Sequence, residues 1–177
     1  ITATLTGGST LNGTNTATPT SGVATFAGLS VSGLVTNSNV LTFTSGVLAS
    51  DSQTFTLTFG AATQLVITTS PAGFVNRSNF TTQPVVAVKD AAGNTVTTDN
   101  STSVTAYIDQ GSLTGTRTLT AVNGVLDWST AATPLGTQAK AGYRIIYFDG
   151  GGYSQARHTF LLTHGTATKI ATLRAAG

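Results

Sequence analysis

The segment Gln83–Thr98, QPVVAVKDAAGNTVTT, contains the pattern that decides the fold. Valine and alanine fill four successive positions of Pro84–Lys89, which places apolar side chains on both faces of an extended chain. Asp90–Asn94 then combines charged and amide side chains with glycine, as tight turns do, and Thr95–Thr98 is a second short extended run. The segment therefore predicts a strand, a turn and a return strand.

The composition is typical of an all-β protein with few charges. Of the 177 residues, 40% are hydrophobic, 8% are charged and about a fifth are threonine, which is β-branched and favours strands. The net charge is +2, and the lysines and arginines form no basic cluster in the sequence, so we expect no nucleic-acid partner. The sequence has no cysteine and no apolar run long enough for a spanning helix, so we expect neither thiolate metal sites nor a membrane span.

Self-comparison reveals a repeat with a spacing of about 105 residues. Gly60–Leu65, GAATQL, recurs as Gly165–Ile170, GTATKI, and Ser21–Phe26, SGVATF, matches Asn123–Trp128, NGVLDW. We therefore predict three segments: residues 1–59 as the C-terminal part of one repeat, 60–164 as a complete repeat, and 165–177 as the first strand of a following repeat or a strand donated to a neighbour. The chain is expected to be a piece of a longer array, or else to be completed by another subunit.

The complete repeat consists of short extended runs separated by turn signals at intervals of about 8–12 residues. Strands are predicted at Gln64–Ser70, Pro84–Lys89, Asn94–Thr98, Ser103–Asp109, Arg117–Val122, Val125–Ser129, Tyr143–Asp149 and Arg157–Thr163. No segment has the 3.6-residue period of an amphipathic helix. This pattern predicts an all-β fold of tandem immunoglobulin-like β-sandwich repeats.

Positions that stay large and apolar in both repeats are expected to face the core. These pairs are Phe26 with Trp128, Leu41 with Ile146, Phe43 with Phe148, Phe55 with Phe160, and Leu57 with Leu162.

The runs PVVAVKDAAGNTVTT, STSVTAYI and AVNGVLDW, in a unit that opens on AATQLVITTSPAG, resemble bacterial immunoglobulin-like repeats of large surface proteins. The Big-type domains of invasin and intimin adhesins are the family most similar to this pattern, and similar modules decorate phage virions. The resemblance implies a β-sandwich that serves as a stalk or presentation module outside the cell, at a cell or virion surface. It transfers no catalytic residues.

Asp90, Asn94, Asp99 and Asn100 offer oxygen ligands near one turn, but two carboxylates are fewer than a calcium site usually contains. We predict that they stabilise turns, with a positive φ at Gly93. His158 and His164 flank the last strand too far apart to share a metal ion, and we expect both at the surface. No cofactor or metal is therefore expected.

Tyr143, Ile145, Tyr147 and Leu161 alternate with the predicted core positions and should point outward. Their counterparts in the first repeat are the smaller residues Ser38, Val40, Thr42 and Thr56. A contiguous exposed apolar patch usually marks an interface, and aromatic rings beside Arg144 and Arg157 also suit a sugar. The four residues are thus a candidate interface or glycan-binding face.

Because no paired carboxylates and no nucleophile with its base are recognisable, we do not expect an enzyme. The leading hypothesis is a structural, self-associating module of a repetitive extracellular protein, such as an adhesin stalk, a surface-layer or filament subunit, or a virion decoration. Its partners would be other copies or neighbouring repeats. The alternative is a carbohydrate-binding module that uses the exposed tyrosine face to hold a surface glycan.

Overall fold

A computed structural model describes residues 1–166 and shows an all-β chain, which confirms the predicted class. The single helical element in this range is a 3₁₀ turn at Trp128–Thr130. The first strands are β1 Thr2–Thr6, β2 Thr10–Asn12, β3 Ser30–Ser32, β4 Ser38–Ser45 and β5 Leu48–Thr56. The others are β6 Ala62–Thr69, β7 Val85–Asp90, β8 Ser103–Ile108, β9 Ser112–Thr114, β10 Thr118–Thr120, β11 Val125–Asp127, β12 Gly136–Gln138, β13 Gly142–Gly150 and β14 Ala156–Leu162.

The chain forms two compact units. Unit 1 comprises residues 1–62 and 89–96, and unit 2 comprises residues 63–88 and the described residues from 97 onward. Unit 1 thus includes residues 89–96, the end of β7 and the turn after it. The predicted repeat boundary at residue 60 would place these residues in the following repeat. The predicted boundaries stay predictions, and of the segment 165–177 only Gly165 and Thr166 fall within the described residues.

Unit 2 contains two principal sheets, as expected of a β-sandwich. One has four antiparallel strands in the order β10-β8-β13-β14, and the other has the order β11-β7-β6. Strands β9 and β12 form a separate two-stranded ribbon, which the sequence did not predict. Every second residue of β8 is buried, so the four-stranded sheet has one face toward the core and one toward solvent.

The core of unit 2 contains the residues predicted for it. The predicted core residues of the second repeat are all at most 5% exposed: Trp128, Ile146, Phe148, Phe160 and Leu162. The Trp128 ring centroid lies 5.1 Å from that of Phe148, and the indole Nε1 donates a 3.0 Å hydrogen bond to the carbonyl of Thr116. Val86 and Val88 of β7 are fully buried and supply part of the core from the other sheet.

Unit 1 contains a three-stranded antiparallel sheet in the order β1-β4-β5, beside the small hairpin β2-β3. In this sheet Ala3 pairs with Phe43, and Leu5 pairs with Leu41. The central strand also pairs Asn39 with Phe55. These registers match those of unit 2, in which the corresponding pairs join Ala106 to Phe148, Ile108 to Ile146, and Arg144 to Phe160.

The predicted core residues of unit 1 face the same side of its sheet but are not fully buried. The Phe26 and Phe43 rings touch, with centroids 5.3 Å apart. Both rings are only half-buried, and the same holds for Leu41, Phe55 and Leu57. They share the inner face of the sheet, as predicted, and they stay half-buried because no second sheet comparable to β11-β7-β6 occurs among the described residues of this unit.

The predicted return strand at Asn94–Thr98 is also wrong. Thr95 makes one isolated bridge with Lys89, and the chain then leaves the extended pairing. The backbone of Asn94 accepts from Asp90 N–H, but the pairing stops after Thr95 because Thr97 and Thr98 lie in a second turn. The strand predicted at Val125–Ser129 ends at Asp127, whose carboxylate caps the following 3₁₀ turn through the Ser129 N–H.

Candidate functional site

The solvent face of the four-stranded sheet in unit 2 contains the predicted outward residues. Tyr143 is 74% exposed and Leu161 is 52% exposed, whereas Ile145 and Tyr147 are half-buried among their neighbours. The strand register places Tyr143 directly opposite Leu161. All four predicted residues therefore share one face, although their role as an interface stays a prediction.

Sequence reasoning missed Tyr107, which belongs to the same face. The register of β8 with β13 places Tyr107 directly opposite Tyr147, and their rings stack with centroids 5.1 Å apart and planes inclined by 19°. Alternation within Ser103–Asp109 assigns Tyr107 to the outward face, but only the strand pairing shows which residue it meets. Tyr107, Tyr143, Ile145, Tyr147 and Leu161 are named the aromatic face from here on.

Polar groups surround the aromatic face. Arg157 is exposed and lies opposite Tyr147 in the neighbouring strand β14. The Gln155 side-chain amide donates a hydrogen bond to the Tyr107 hydroxyl, and the Asp109 carboxylate accepts from the backbone N–H of Ile145 at 3.1 Å. An apolar centre with a polar rim is the usual arrangement of a protein–protein contact surface.

Arg144, which was expected to stand beside the tyrosines, does not belong to the aromatic face. Its side chain points to the inner face of the sheet and is 9% exposed. The guanidinium donates 2.6 Å hydrogen bonds to the carbonyls of Tyr143 and Lys140, while Nε has no partner among the described residues. Side chains alternate between the two faces of a strand, and the even-numbered residues Arg144, Ile146 and Phe148 of β13 face the core.

Ring stacking distinguishes the three tyrosines of the aromatic face, Tyr107, Tyr143 and Tyr147. Because Tyr107 and Tyr147 stack on each other, each ring has one face covered by its partner. Sugars bind to aromatic residues by packing against a free ring face, so this pair has less of the required surface than two separate rings would have. Tyr143 is the most exposed of the three rings and is in no stacked pair among residues 1–166.

The acidic and amide residues near Asp90 serve turns, as predicted. In unit 1 the Asp90 carboxylate is buried and accepts from the backbone N–H groups of Gly60, Ala92 and Asn94 at 2.8–3.0 Å, and from the Asn94 side chain at 3.0 Å. Gly93 adopts the predicted positive φ, 90°. Burial raises the pKa of Asp90, but these hydrogen bonds together outweigh it and leave the pKa below its ordinary value of 3.8.

Asp99 stabilises a different turn, in unit 2. Its carboxylate accepts from the N–H groups of Ser101 and Thr102, both at 2.9 Å, and from the Thr102 hydroxyl. Burial acts to raise the pKa of Asp99, and the hydrogen bonds lower it on balance. Within the described ranges no three histidine or acidic side chains converge to hold a metal ion.

The two histidines occupy different environments. The His158 ring stacks near Phe74, with centroids 6.0 Å apart, and is half-buried, so its expected surface position is wrong. Like Arg144, it sits at an even position of its strand and faces the inner side of the sheet. His164 lies beyond the end of β14 and is exposed, as expected.

No protein-family model and no curated protein matches the chain. Among solved structures, a β-glucuronidase of Parabacteroides merdae with glycerol in its active site aligns with a TM-score of 0.42 and 15% identity, over 70% of this chain and 16% of that chain. A β-glycosidase from Bacteroides vulgatus aligns with a TM-score of 0.46 and 9% identity, over 87% of this chain and 21% of that chain. Structural similarity of this extent assigns no activity to the chain.

Residues 1–166 include no helix with the length and hydrophobicity that crossing a membrane requires.

Proposed function

We propose that the chain is a structural module of a repetitive extracellular surface protein, built from tandem immunoglobulin-like units of about 105 residues. The residue pairs of β1-β4-β5 match those of β8-β13-β14 position by position, which supports a common origin for the two units. The low charge and the abundance of threonine suit a surface that packs densely against neighbours. The proposal assigns the module a role in spacing, display and self-association, and no catalytic step.

The observation that carries the proposal is the difference between equivalent faces of the two units. The outer face of β4 and β5 presents mainly small or hydroxyl residues, whereas the same positions in unit 2 form the aromatic face. An apolar surface of this kind has a hydration cost that is relieved when another surface covers it. We therefore assign the aromatic face to contact with other copies or neighbouring repeats.

Replacing both Tyr147 and Leu161 with serine is expected to weaken self-association by about tenfold or more, because it removes two apolar anchors, one from each end of the aromatic face. Sedimentation equilibrium over a range of concentrations measures the change. Val122→Ser is the matched control, since Val122 is 65% exposed in the turn after β10 and lies outside the aromatic face. An unchanged association constant in the double variant, with the fold intact by circular dichroism, would contradict the proposed interface.

A carbohydrate-binding role for the same face is the second candidate, and the exposure of Tyr143 favours it. Its ring is 74% exposed, and Arg157 lies on the same face, opposite Tyr147 and four residues further along the sheet. A sugar would pack against the Tyr143 ring, and a glycan extended along the strands would also reach Arg157.

Tyr143→Leu separates the two candidates, because leucine keeps an apolar side chain but removes the aromatic ring. If the face binds sugar, binding on a glycan array should fall by about tenfold, while self-association should stay within about twofold of the parent chain. Tyr147→Ala serves as a second test of glycan binding. An array that shows no binding by the parent chain would rule out the carbohydrate role for the glycans sampled.

A further inference from the structure

The sequence contains two Asn-Gly pairs, Asn12-Gly13 in unit 1 and Asn123-Gly124 in unit 2. In such a pair the backbone nitrogen of the glycine can attack the side-chain amide carbon of the asparagine, because glycine has no side chain to obstruct the approach. The attack requires that the glycine N–H is not held in a hydrogen bond and that the chain around it can bend. The reactivity of each pair therefore depends on how the fold holds the glycine nitrogen.

The fold requires glycine at position 13 but does not require asparagine before it. Gly13 directly follows β2 and has a φ of 92°, and a side chain there would collide with the carbonyl oxygen of Gly28. The equivalent residue in unit 2 is Gly115, which follows β9, has a φ of 86° and approaches a backbone carbonyl in the same way. The residue before the glycine is Asn12 in β2 and Thr114 in β9, so the two ribbons differ in whether they contain a reactive pair.

The backbone nitrogen of Gly13 is free. Its N–H makes no hydrogen bond within residues 1–166, and both Asn12 and Gly13 are exposed. The Asn12 side-chain amide donates to the Ser32 hydroxyl at 3.1 Å and to the carbonyl of Thr10 at 3.4 Å. Both of these hydrogen bonds are exposed to solvent, so water replaces them at little cost when the side chain turns toward Gly13.

The second pair is held in place. Gly124 is buried, and its N–H donates a 2.7 Å hydrogen bond to the carbonyl of Asp99. Asn123 has a φ of 51° in a tight turn that is closed by two backbone hydrogen bonds between Val122 and Val125, of 2.9 and 3.0 Å. An attack on the Asn123 side chain would require this turn to open and the Gly124 hydrogen bond to break.

We propose that Asn12 is a site of spontaneous deamidation through a cyclic imide. The Gly13 nitrogen forms a bond to the side-chain amide carbon of Asn12, and the amide nitrogen leaves as ammonia with the proton that the Gly13 nitrogen loses. Water then opens the ring at one of its two carbonyls. Opening at the side-chain carbonyl gives aspartate, and opening at the backbone carbonyl gives isoaspartate, in which the main chain runs through the side-chain carbon.

The conversion changes both the charge and the backbone of unit 1. Asp51 is the one charged side chain in residues 1–59, so a carboxylate at position 12 adds a second negative charge to this segment. Isoaspartate also lengthens the backbone by one carbon at the residue that pairs with Ser30 in the β2-β3 hairpin. Because strand pairing depends on register, the isoaspartate form should weaken the hairpin, whereas aspartate should leave the pairing intact.

The test is incubation of the full chain at mildly alkaline pH, with both pairs followed over time. Peptic digestion and mass spectrometry measure the mass gained when an amide becomes a carboxylate. Methyl transfer from S-adenosylmethionine by an isoaspartyl methyltransferase measures isoaspartate independently. Conversion at Asn12 is expected to be at least about tenfold faster than at Asn123, because the hydrogen bonds that hold Asn123 and Gly124 must break before that pair can react.

Two controls separate the effect of the fold from that of the local sequence. In guanidinium chloride the two rates should agree within about threefold, because no turn then holds either pair. Asn12→Thr, which copies Thr114 of unit 2, should remove the fast conversion and leave the circular dichroism spectrum unchanged. Freshly prepared Asn12→Asp has the new charge without the longer backbone, so hydrogen exchange in Ser30–Ser32 should be faster by about tenfold in the isoaspartate form only.

Equal rates at Asn12 and Asn123 in the folded chain would overturn the inference. A rate at Asn12 that rises more than about tenfold in denaturant would also overturn it, because the fold would then protect this pair. Unchanged hydrogen exchange in the β2-β3 hairpin of the isoaspartate form would refute the structural consequence. The aromatic face takes no part in this reaction, so the self-association test on Tyr147 and Leu161 succeeds or fails independently.

Discussion

Replacing Trp128 with alanine is expected to lower the free energy of unfolding of unit 2 by about 3–5 kcal/mol, the range for large aromatic side chains in a packed core. Trp128 is fully buried, contacts the Phe148 ring, and donates the Nε1 hydrogen bond to Thr116. The substitution leaves both a cavity and a carbonyl that has lost its indole donor. Among the described residues of unit 2, no other combines this volume with complete burial, so we expect the largest effect here.

Urea denaturation followed by far-ultraviolet circular dichroism measures the loss, and hydrogen exchange in β8 and β13 locates it in unit 2. Trp128→Phe should cost less, because it restores most of the packing but not the hydrogen bond to Thr116. Val122→Ala should change stability by less than about 0.5 kcal/mol, since Val122 is exposed. A loss below about 1 kcal/mol for Trp128→Ala would contradict the assigned core.

Replacing Asp90 with alanine is expected to destabilise unit 1 by about 3 kcal/mol, because hydrogen bonds to a buried carboxylate are individually stronger than neutral ones. The substitution removes the acceptor for the N–H groups of Gly60, Ala92 and Asn94. It also removes an acceptor for the Asn94 side chain, which itself bonds Gly33 and Val35. The loss should therefore extend from the turn to the segment around residues 33–35.

The same carboxylate makes stability depend on pH. Because the pKa of Asp90 is lower in the folded chain than its ordinary value of 3.8, the folded state binds fewer protons than the unfolded state in this range. The contribution to stability is fully present above pH 3.8 and is lost as the pH falls through the lower, folded value. Asp99 should add a similar acid dependence in unit 2, since its pKa is lowered too.

Hydrogen exchange measured from pH 7 down to acidic pH, and corrected for the intrinsic exchange rate at each pH, tests the acid dependence of unit 1 and of unit 2 separately. Asp90→Asn should flatten the acid dependence of unit 1 and leave that of unit 2 unchanged. Asp51→Asn is the matched control, because Asp51 is also a carboxylate of unit 1 but is exposed. If Asp90→Ala and Asp51→Asn have equal effects on stability, the assigned hydrogen-bond network is wrong.

Much of the fold was predictable from local pattern. Alternation in Ser103–Asp109 and Tyr143–Asp149 gave the strands, and comparison of the repeats correctly identified Trp128 and Phe148 as core residues. Such predictions succeed because side-chain direction in a strand depends on parity alone. The prediction failed at Asn94–Thr98 because parity does not show how far two strands stay paired, and here the pairing stops at the bridge between Thr95 and Lys89.

The candidate site was predictable in part. Parity assigned Tyr143, Ile145, Tyr147 and Leu161 to one face, and the structure places them there. Only the pairing of β8 with β13 assigns Tyr107 to this face beside Tyr147. The register between strands 40 residues apart is not encoded in either strand alone. Arg144 was expected to flank the rings, but its own parity already placed it on the inner face.

The sequence by itself determined the all-β class, the alternation within each strand and the turn chemistry at Asp90–Asn94. These features depend on near neighbours in the chain, so composition and spacing suffice. Only the tertiary structure decided which strands pair, that Tyr107 stacks on Tyr147, and that the core residues of unit 1 stay half-buried while those of unit 2 are covered. Burial depends on which distant strands lie across the sheet, so two units with the same local pattern differ in it.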